Sequence, residues 1–137
     1  MKEGLIKAAM LIVAALAAAA SSPSRAQEMD GKALFLKNCA ACHQASGKGI
    51  PGAFPALAGN SFVQGKSSEV ASVLLKGRGG MPDFSDSLSD RDIATVLTFV
   101  RSNWGNKADG LKADDVSALR ATLGLDPFGN SVMSNKH

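Results

Sequence analysis

The stretch "QASGKGIPGAFPALAGN", from Gln44 to Asn60, sets the strictest limit on what this chain can fold into. It holds four glycines and two prolines, so no helix or strand can run through it. It must be a loop with several enforced turns. Yet it carries Ile50, Phe54 and Leu57, and Phe62 follows closely. Loops run over the surface and are normally polar, so these side chains need something apolar to pack on.

The remainder offers only short helices. "DGKALFLKNCAACH" begins at Asp30, a good N-cap, and reads as a helix through to His43. A second helix is expected from about Ser67 to Lys76, capped by Ser67 or Ser68, with Glu69 near its positive end and Gly77 as its stop. Val70, Val73 and Leu74 share one face there. A third runs roughly from Asp90 to Asn103 with Ser89 as cap. Its Ile93, Val96, Leu97 and Val100 form an i, i+3, i+4, i+7 stripe. The last helix lies in "KADDVSALRATLG", with Val116, Leu119 and Leu123 on one face. No segment alternates as a strand. Such a chain has little regular structure with which to build a core, and small domains of this kind often rely on a disulfide, a metal or another insert.

Both cysteines and one of the two histidines fall in "NCAACHQ", Asn38 to Gln44. A structural zinc needs about four Cys or His ligands. Only Cys39, Cys42, His43 and the terminal His137 exist, and adjacent Cys42 and His43 could hardly both reach one ion alongside Cys39. A redox dithiol usually opens a helix after a strand, whereas this pair closes a helical segment. A Cys39–Cys42 disulfide would close a tiny loop with little entropic gain and leave His43 unexplained. The pattern C-x-x-C-H is the attachment signature of c-type haem. Two thiols add to two porphyrin vinyl groups, and the next residue is an imidazole placed under the iron. Such a group is also the apolar insert that the loops require.

A second axial ligand is sought among the methionines and His137. Met29 precedes the first helix and Met133 lies near the C-terminus. Met81 stands in a loop between Gly80 and Pro82. Methionine used as core filler usually sits on a helix face, so Met81 is the expected distal ligand by analogy with His/Met haem proteins. Met133 and His137 are the other candidates. Ile50, Phe54, Leu57, Phe62, Leu74, Phe84 and Leu97 are candidates for pocket walls or for ordinary core. Arg78 and Trp104 are candidates for a propionate contact, or a solvated charge and a structural ring.

The N-terminus reads as a secretory leader. Lys2 and Lys7 precede 13 residues without a polar side chain, Ala8 to Ala20, and Ser24 and Ala26 suit cleavage before Gln27. A membrane anchor is the alternative, but a spanning helix needs about 20 apolar residues. Cleavage near Ala26 removes a net +2 of the chain's +3, leaving about +1. Nucleic-acid binding then has no support, since no basic block interleaves with aromatics. Met1 and Met10 leave with the leader.

Taken with these motifs, the sequence resembles a class I c-type cytochrome of the small bacterial monohaem type. "CAACH" corresponds to the haem motif, "FPALAG" to the family's P-x-L-x-G stretch, and "GGMPDF" to its distal loop. The resemblance implies an all-α cytochrome c fold, about four short helices and glycine-rich loops around one covalently attached haem c. It implies a cytochrome domain over 27–125, after the leader at 1–26 and before a flexible tail at 126–137. It implies that Cys39 and Cys42 tether the haem, that His43 and Met81 are its iron ligands, and that the Pro55 carbonyl accepts a hydrogen bond from His43. Gly31 and Phe35 would pack against the helix in "DIATVLTFVRSNWGN".

The ending "VRSNWGN…DDVSALRA" is most similar to cytochrome subunits of periplasmic dehydrogenases, including quinoprotein alcohol dehydrogenases and molybdenum hydroxylases. Those often carry three haem motifs, and this chain carries one. The expected function is periplasmic one-electron transfer, from a dehydrogenase or other donor to an oxidase or other cytochrome. No enzymatic activity, and no membrane span after cleavage, is expected. A haem enzyme, or a gas or redox sensor with a displaceable sixth ligand, is the alternative.

Overall fold

A computed structural model of the protein describes residues 29–129. The leader read at 1–26, the candidates Met133 and His137, and the tail beyond Gly129 lie outside the described residues. Among the described residues there are five helices, α1 (Gly31–Asn38), α2 (Ala40–His43), α3 (Ser67–Lys76), α4 (Asp90–Ser102) and α5 (Ala113–Thr122). No strand occurs among the described residues, where two isolated bridges, Ile50 with Phe54 and Arg78 with Met81, are the only extended pairings.

The Asp30 carboxylate caps α1 by accepting from the Ala33 N–H at 2.7 Å. The single helix expected through His43 is instead two. The Asn38 side-chain amide donates to the Leu34 carbonyl at 2.9 Å, competing for a helical acceptor as asparagine tends to do. The backbone turns at Cys39 (φ −125°, ψ −33°), and α2 restarts from it. The cap of α3 also differs from expectation. Lys66 is the last extended residue, no side chain caps the helix, and Ser67 is already helical. α4 has the expected cap in its fullest form. Asp92 N–H donates to Ser89 Oγ at 3.1 Å, and Ser89 N–H donates back to the Asp92 carboxylate at 3.3 Å.

The α4 stripe is the spine of the core: Ile93, Val96, Leu97 and Val100 are all buried. α4 packs on α1 and α5, while α3 packs on both α4 and α5. α1 crosses α4 at Gly31, where a Cβ would lie 2.6 Å from Phe99 Cβ and 2.8 Å from the Thr95 carbonyl. Phe35 follows one turn later. Its ring sits 5.7 Å from that of Phe99 and 4.9 Å from that of Trp104, and the last two are 5.4 Å apart. Tilted and edge-on aromatic contacts of this kind add specificity beyond burial.

Two buried arginines lock the loops to this core. Arg120 of α5 pairs with Asp90 at the start of α4 and donates to the Ser85 and Leu88 carbonyls at 2.8 and 3.1 Å. Arg101 of α4 donates to the carbonyls of Val63 (2.6 Å), Gly65 (3.0 Å) and Asp109 (2.7 Å). Of the expected α5 face, Val116 is buried, whereas Leu119 and Leu123 are half-buried at its margin. The described start of the tail, Asp126 to Gly129, is exposed, with the Phe128 ring 5.9 Å from the Arg120 guanidinium.

Candidate functional site

Cys39, Cys42 and His43 fall where α1 gives way to α2 and α2 ends. The two thiols are free and half-buried, and His43 is buried. Its Nδ1 lies 2.9 Å from the Pro55 carbonyl. That oxygen can only accept, so Nδ1 carries the proton and donates. Nε2 is then left with its lone pair and makes no hydrogen bond among the described residues, which is the state of a metal-binding imidazole.

The loop that presents Pro55 is closed by its own backbone. Gln44 turns the chain with a positive φ of 64°, a conformation that costs a non-glycine residue energy and gathers at functional sites. Gly49 N–H donates to the His43 carbonyl at 2.9 Å, and the Leu57 and Ala58 N–H groups both donate to the Gly47 carbonyl. A Cβ at Gly49 would meet the Phe54 carbonyl oxygen at 2.3 Å and that of Pro55 at 2.6 Å. Only glycine lets the two strands of the loop approach so closely.

Met81 is held by a tight turn. Arg78 and Met81 exchange two backbone hydrogen bonds, at 3.0 and 3.1 Å, around Gly79 and Gly80. Gly77 ends α3 at φ +71°, ψ 173°, and a Cβ there would come within 2.7 Å of the Met81 carbonyl. Phe84 N–H returns to the Leu74 carbonyl at 2.7 Å. Met81 is half-buried and packs on the same core as Cys39, Leu57 and Phe84.

The donor set matches a haem better than any competitor. No group of three or more His, Cys, Asp or Glu among the described residues could hold a metal ion, so Cys39, Cys42 and His43 do not converge as zinc ligands. Burial, with the neighbouring Cys42 adding to it, pushes the Cys39 thiol up from 9.0 to about 11. It therefore stays protonated at neutral pH, unlike the thiolates of exchange enzymes. Ile50, Phe54 and Phe62 are large apolar side chains between 38% and 41% exposed, and the first two lie in the loop that follows His43. A covalently tethered porphyrin is an apolar partner of the kind they require.

The sequence matches the family described as "Cytochrome C oxidase, cbb3-type, subunit III" over residues 26–100. It is 34% identical to cytochrome c-552 of Thermus thermophilus over 115 residues, 69% of this chain and 86% of that protein. It is 37% identical over 105 residues to the cytochrome c subunit of a quinone alcohol dehydrogenase of Gluconobacter oxydans (strain 621H), covering 67% of this chain and 22% of the subunit. With cytochrome c6 of Microcystis aeruginosa it shares 40% over 74 residues, 52% of this chain and 90% of that protein. This chain belongs to the c-type cytochrome family. Its members carry covalently bound haem c and transfer electrons. The cytochrome spans about a fifth of the length of the alcohol dehydrogenase subunit that it resembles.

Of the residues singled out in the sequence, the fold brings Pro55 onto His43 and packs Met81 and Cys39 on one core. Leu74 and Leu97 belong to the buried core, Leu57 and Phe84 are half-buried at its edge, and Ile50, Phe54 and Phe62 remain on the surface. The Arg78 guanidinium lies 5.0 Å above the Phe62 ring, and Trp104 belongs to the aromatic cluster under α1. Lys48, Lys66, Lys76 and Arg78 are all exposed, and Lys66 is 3.7 Å from Glu69. Sequence reasoning missed three buried polar residues, Arg101, Asn106 and Arg120. The sole signal for Arg101 and Arg120 was a charge on or beside an apolar helix face.

Proposed function

We propose that this cytochrome is an exported one-electron carrier with a single His/Met-ligated haem c. In this reading Cys39 and Cys42 are the tethers, His43 the proximal ligand and Met81 the distal ligand. The domain would run over 27–125, between the leader at 1–26 and the tail at 126–137. The observation that carries the proposal is the His43–Pro55 hydrogen bond. It fixes the tautomer, aims Nε2 away from the loop, and raises the basicity of the imidazole as outer partners of metal-bound histidines do. When bound, the haem supplies an iron that cycles between ferric and ferrous states.

The chain's own residues would set the conditions of that cycle. A methionine sulfur favours the ferrous form and raises the potential relative to two histidines. Phe84 and Leu57, half-buried beside the site, limit water and disfavour the extra charge of the ferric state. The glycine turn at Arg78–Met81 holds the sulfur-bearing residue so that little rearrangement accompanies electron transfer. Electrons would come from a periplasmic dehydrogenase and pass to an oxidase or another cytochrome. The names of several relatives support this, namely the alcohol dehydrogenase subunit and the cytochrome subunit of fructose dehydrogenase from Gluconobacter japonicus. Docking would be small and transient, around the exposed apolar loops. With about one net positive charge after leader removal, no strong long-range steering is expected.

The deciding experiment is Met81→Ala in the haem-loaded protein. The wild type should show the weak red-end sulfur-to-iron band when oxidised and ignore carbon monoxide when reduced. The variant should lose the band, bind carbon monoxide and have a lower potential. A wild type that already binds carbon monoxide at neutral pH would instead indicate a haem enzyme or sensor.

A further inference from the structure

We propose that Asn106 is a positioning residue for the proximal ligand, and that the turn Trp104–Gly105–Asn106 acts as a clamp on the loop that carries Pro55. The inference rests on the reading of His43 as the iron ligand. Within "SNWGN" the sequence suggests a role for Trp104 but none for Asn106, and the structural context supplies one.

Asn106 is 2% exposed and every polar atom of its side chain is used. Oδ1 accepts from the Gly59 N–H at 2.8 Å. Nδ2 donates to the Leu57 carbonyl at 3.0 Å and to the Val100 carbonyl at 2.9 Å. An amide and two carbonyls of fixed type surround the group, so only this orientation of the side chain satisfies all three. One side chain thus joins the end of α4 to two residues of the proximal loop, 47 and 49 positions away in sequence. Leu57 is the pivot. Its carbonyl is held by Asn106 and its N–H by the Gly47 carbonyl at 2.7 Å. Pro55, whose carbonyl receives the His43 proton, is two residues before it.

The other arm of the clamp is Trp104. Its ring covers Gly47, where a Cβ would lie 2.6 Å from the indole. Trp104 itself has a positive φ of 52° and Gly105 one of 86°. The chain therefore reverses sharply so that ring and amide both face the loop. Strain of this sort at a non-glycine residue persists only where the surroundings hold it. Gly47 and Leu57, the two residues that close the Pro55 loop on itself, are thus gripped from outside by residues of one turn. Freed from Asn106, the Leu57–Gly59 segment would drift, and the His43–Pro55 bond would lengthen or open more often.

The test uses the haem-loaded, reduced protein and follows deuterium exchange by NMR. Asn106→Ala should speed exchange of the His43 Nδ1 proton, and of the Leu57, Ala58 and Gly59 amides, by about tenfold or more. The amides of Ile93 to Leu97 in α4 should keep their wild-type rates. The reduction potential should rise, because a weaker hydrogen bond makes the imidazole a poorer donor to ferric iron. Val116→Ala, a core truncation in α5, is the control. It should speed all protected protons together and leave the potential unmoved. Asn106→Ser keeps one donor and should act in the same direction more weakly, including where the alanine variant does not fold.

An unchanged Nδ1 rate in the folded Asn106 variants, or one that rises only in step with the α4 amides, overturns the proposal. Should the His43 ring protons of the wild type lack the ring-current displacement of an axial ligand, the proposed ligation fails. The exchange comparison would still decide whether Asn106 holds the His43–Pro55 bond.

Discussion

Gly77→Ala should be the most damaging single-methyl change in the distal loop. Gly77 lies at φ +71°, ψ 173°, a region that only glycine occupies freely, and an alanine held there costs about 1–3 kcal/mol. The added Cβ would stand 2.7 Å from the Met81 carbonyl and 3.0 Å from the Asp83 nitrogen, against about 3.4 Å for ordinary contact. The obstruction is backbone, so it cannot rotate away. The Met81 strand of the turn must move by about 0.7 Å, and the two effects together should cost about 2–4 kcal/mol. For a domain of this size that is a fall of about 10–20 °C in melting temperature. It should be read by far-UV circular dichroism on the haem-loaded protein.

Two neighbours calibrate the argument. Gly79 has φ +58° but open space around its Cβ, so its alanine variant should lose only about 1–2 kcal/mol to backbone strain. Gly80 has neither a positive φ nor a neighbour within 4 Å, and Gly80→Ala should be within about 0.5 kcal/mol of wild type. The displaced turn should also weaken the proposed Met81 ligation, so Gly77→Ala should bind carbon monoxide where Gly80→Ala does not. Equal stability of the Gly77 and Gly80 variants would refute the reasoning.

Further outcomes are expected. Arg120→Met removes a buried guanidinium that holds Asp90, Ser85 and Leu88; it should cost about 2–4 kcal/mol in denaturant unfolding, because the carboxylate and two carbonyls lose their donor. In folded, haem-free chain the alkylation rate of Cys39 should keep climbing beyond pH 9 toward about 11, since burial raises its pKa. The sign for stability follows. The unfolded thiol ionises first, so the haem-free fold should weaken as pH rises from about 9 through 11. Thioether formation should abolish that dependence, and a plateau in the alkylation rate near pH 9 would show that burial does not hold the proton. Ser89→Ala should cost about 1 kcal/mol through loss of the α4 cap, measured by thermal unfolding.

Much of the architecture was legible because it is local. The 3.6-residue stripe of α4, its Ser89 cap, and the glycines and prolines of 44–60 each act within a few residues, so spacing alone exposes them. The split of α1 from α2 was not legible, because it depends on which acceptor the Asn38 amide chooses. The bounds of α3 at Ser67 and Lys76 were legible, but its cap was not, since Lys66 precedes the helix and no side-chain hydroxyl caps it. The chemistry was local too. Two thiols and an imidazole within five residues of each other admit few uses, and the ligand count excluded zinc before any geometry was known.

What tertiary structure alone decided is how those groups are held. The His43–Pro55 bond spans 12 positions and the Asn106 contacts nearly 50. Arg101 and Arg120 reach carbonyls more than 30 residues away. A sequence shows that an arginine or asparagine is present. Whether it is solvated or buried depends on which backbone carbonyls the fold strands beside it, because a buried polar group persists only where partners satisfy it. The proposed tethers and ligands were suggested by residue type and spacing. The rigidity that would suit them to electron transfer comes from long-range hydrogen bonds that no local pattern encodes.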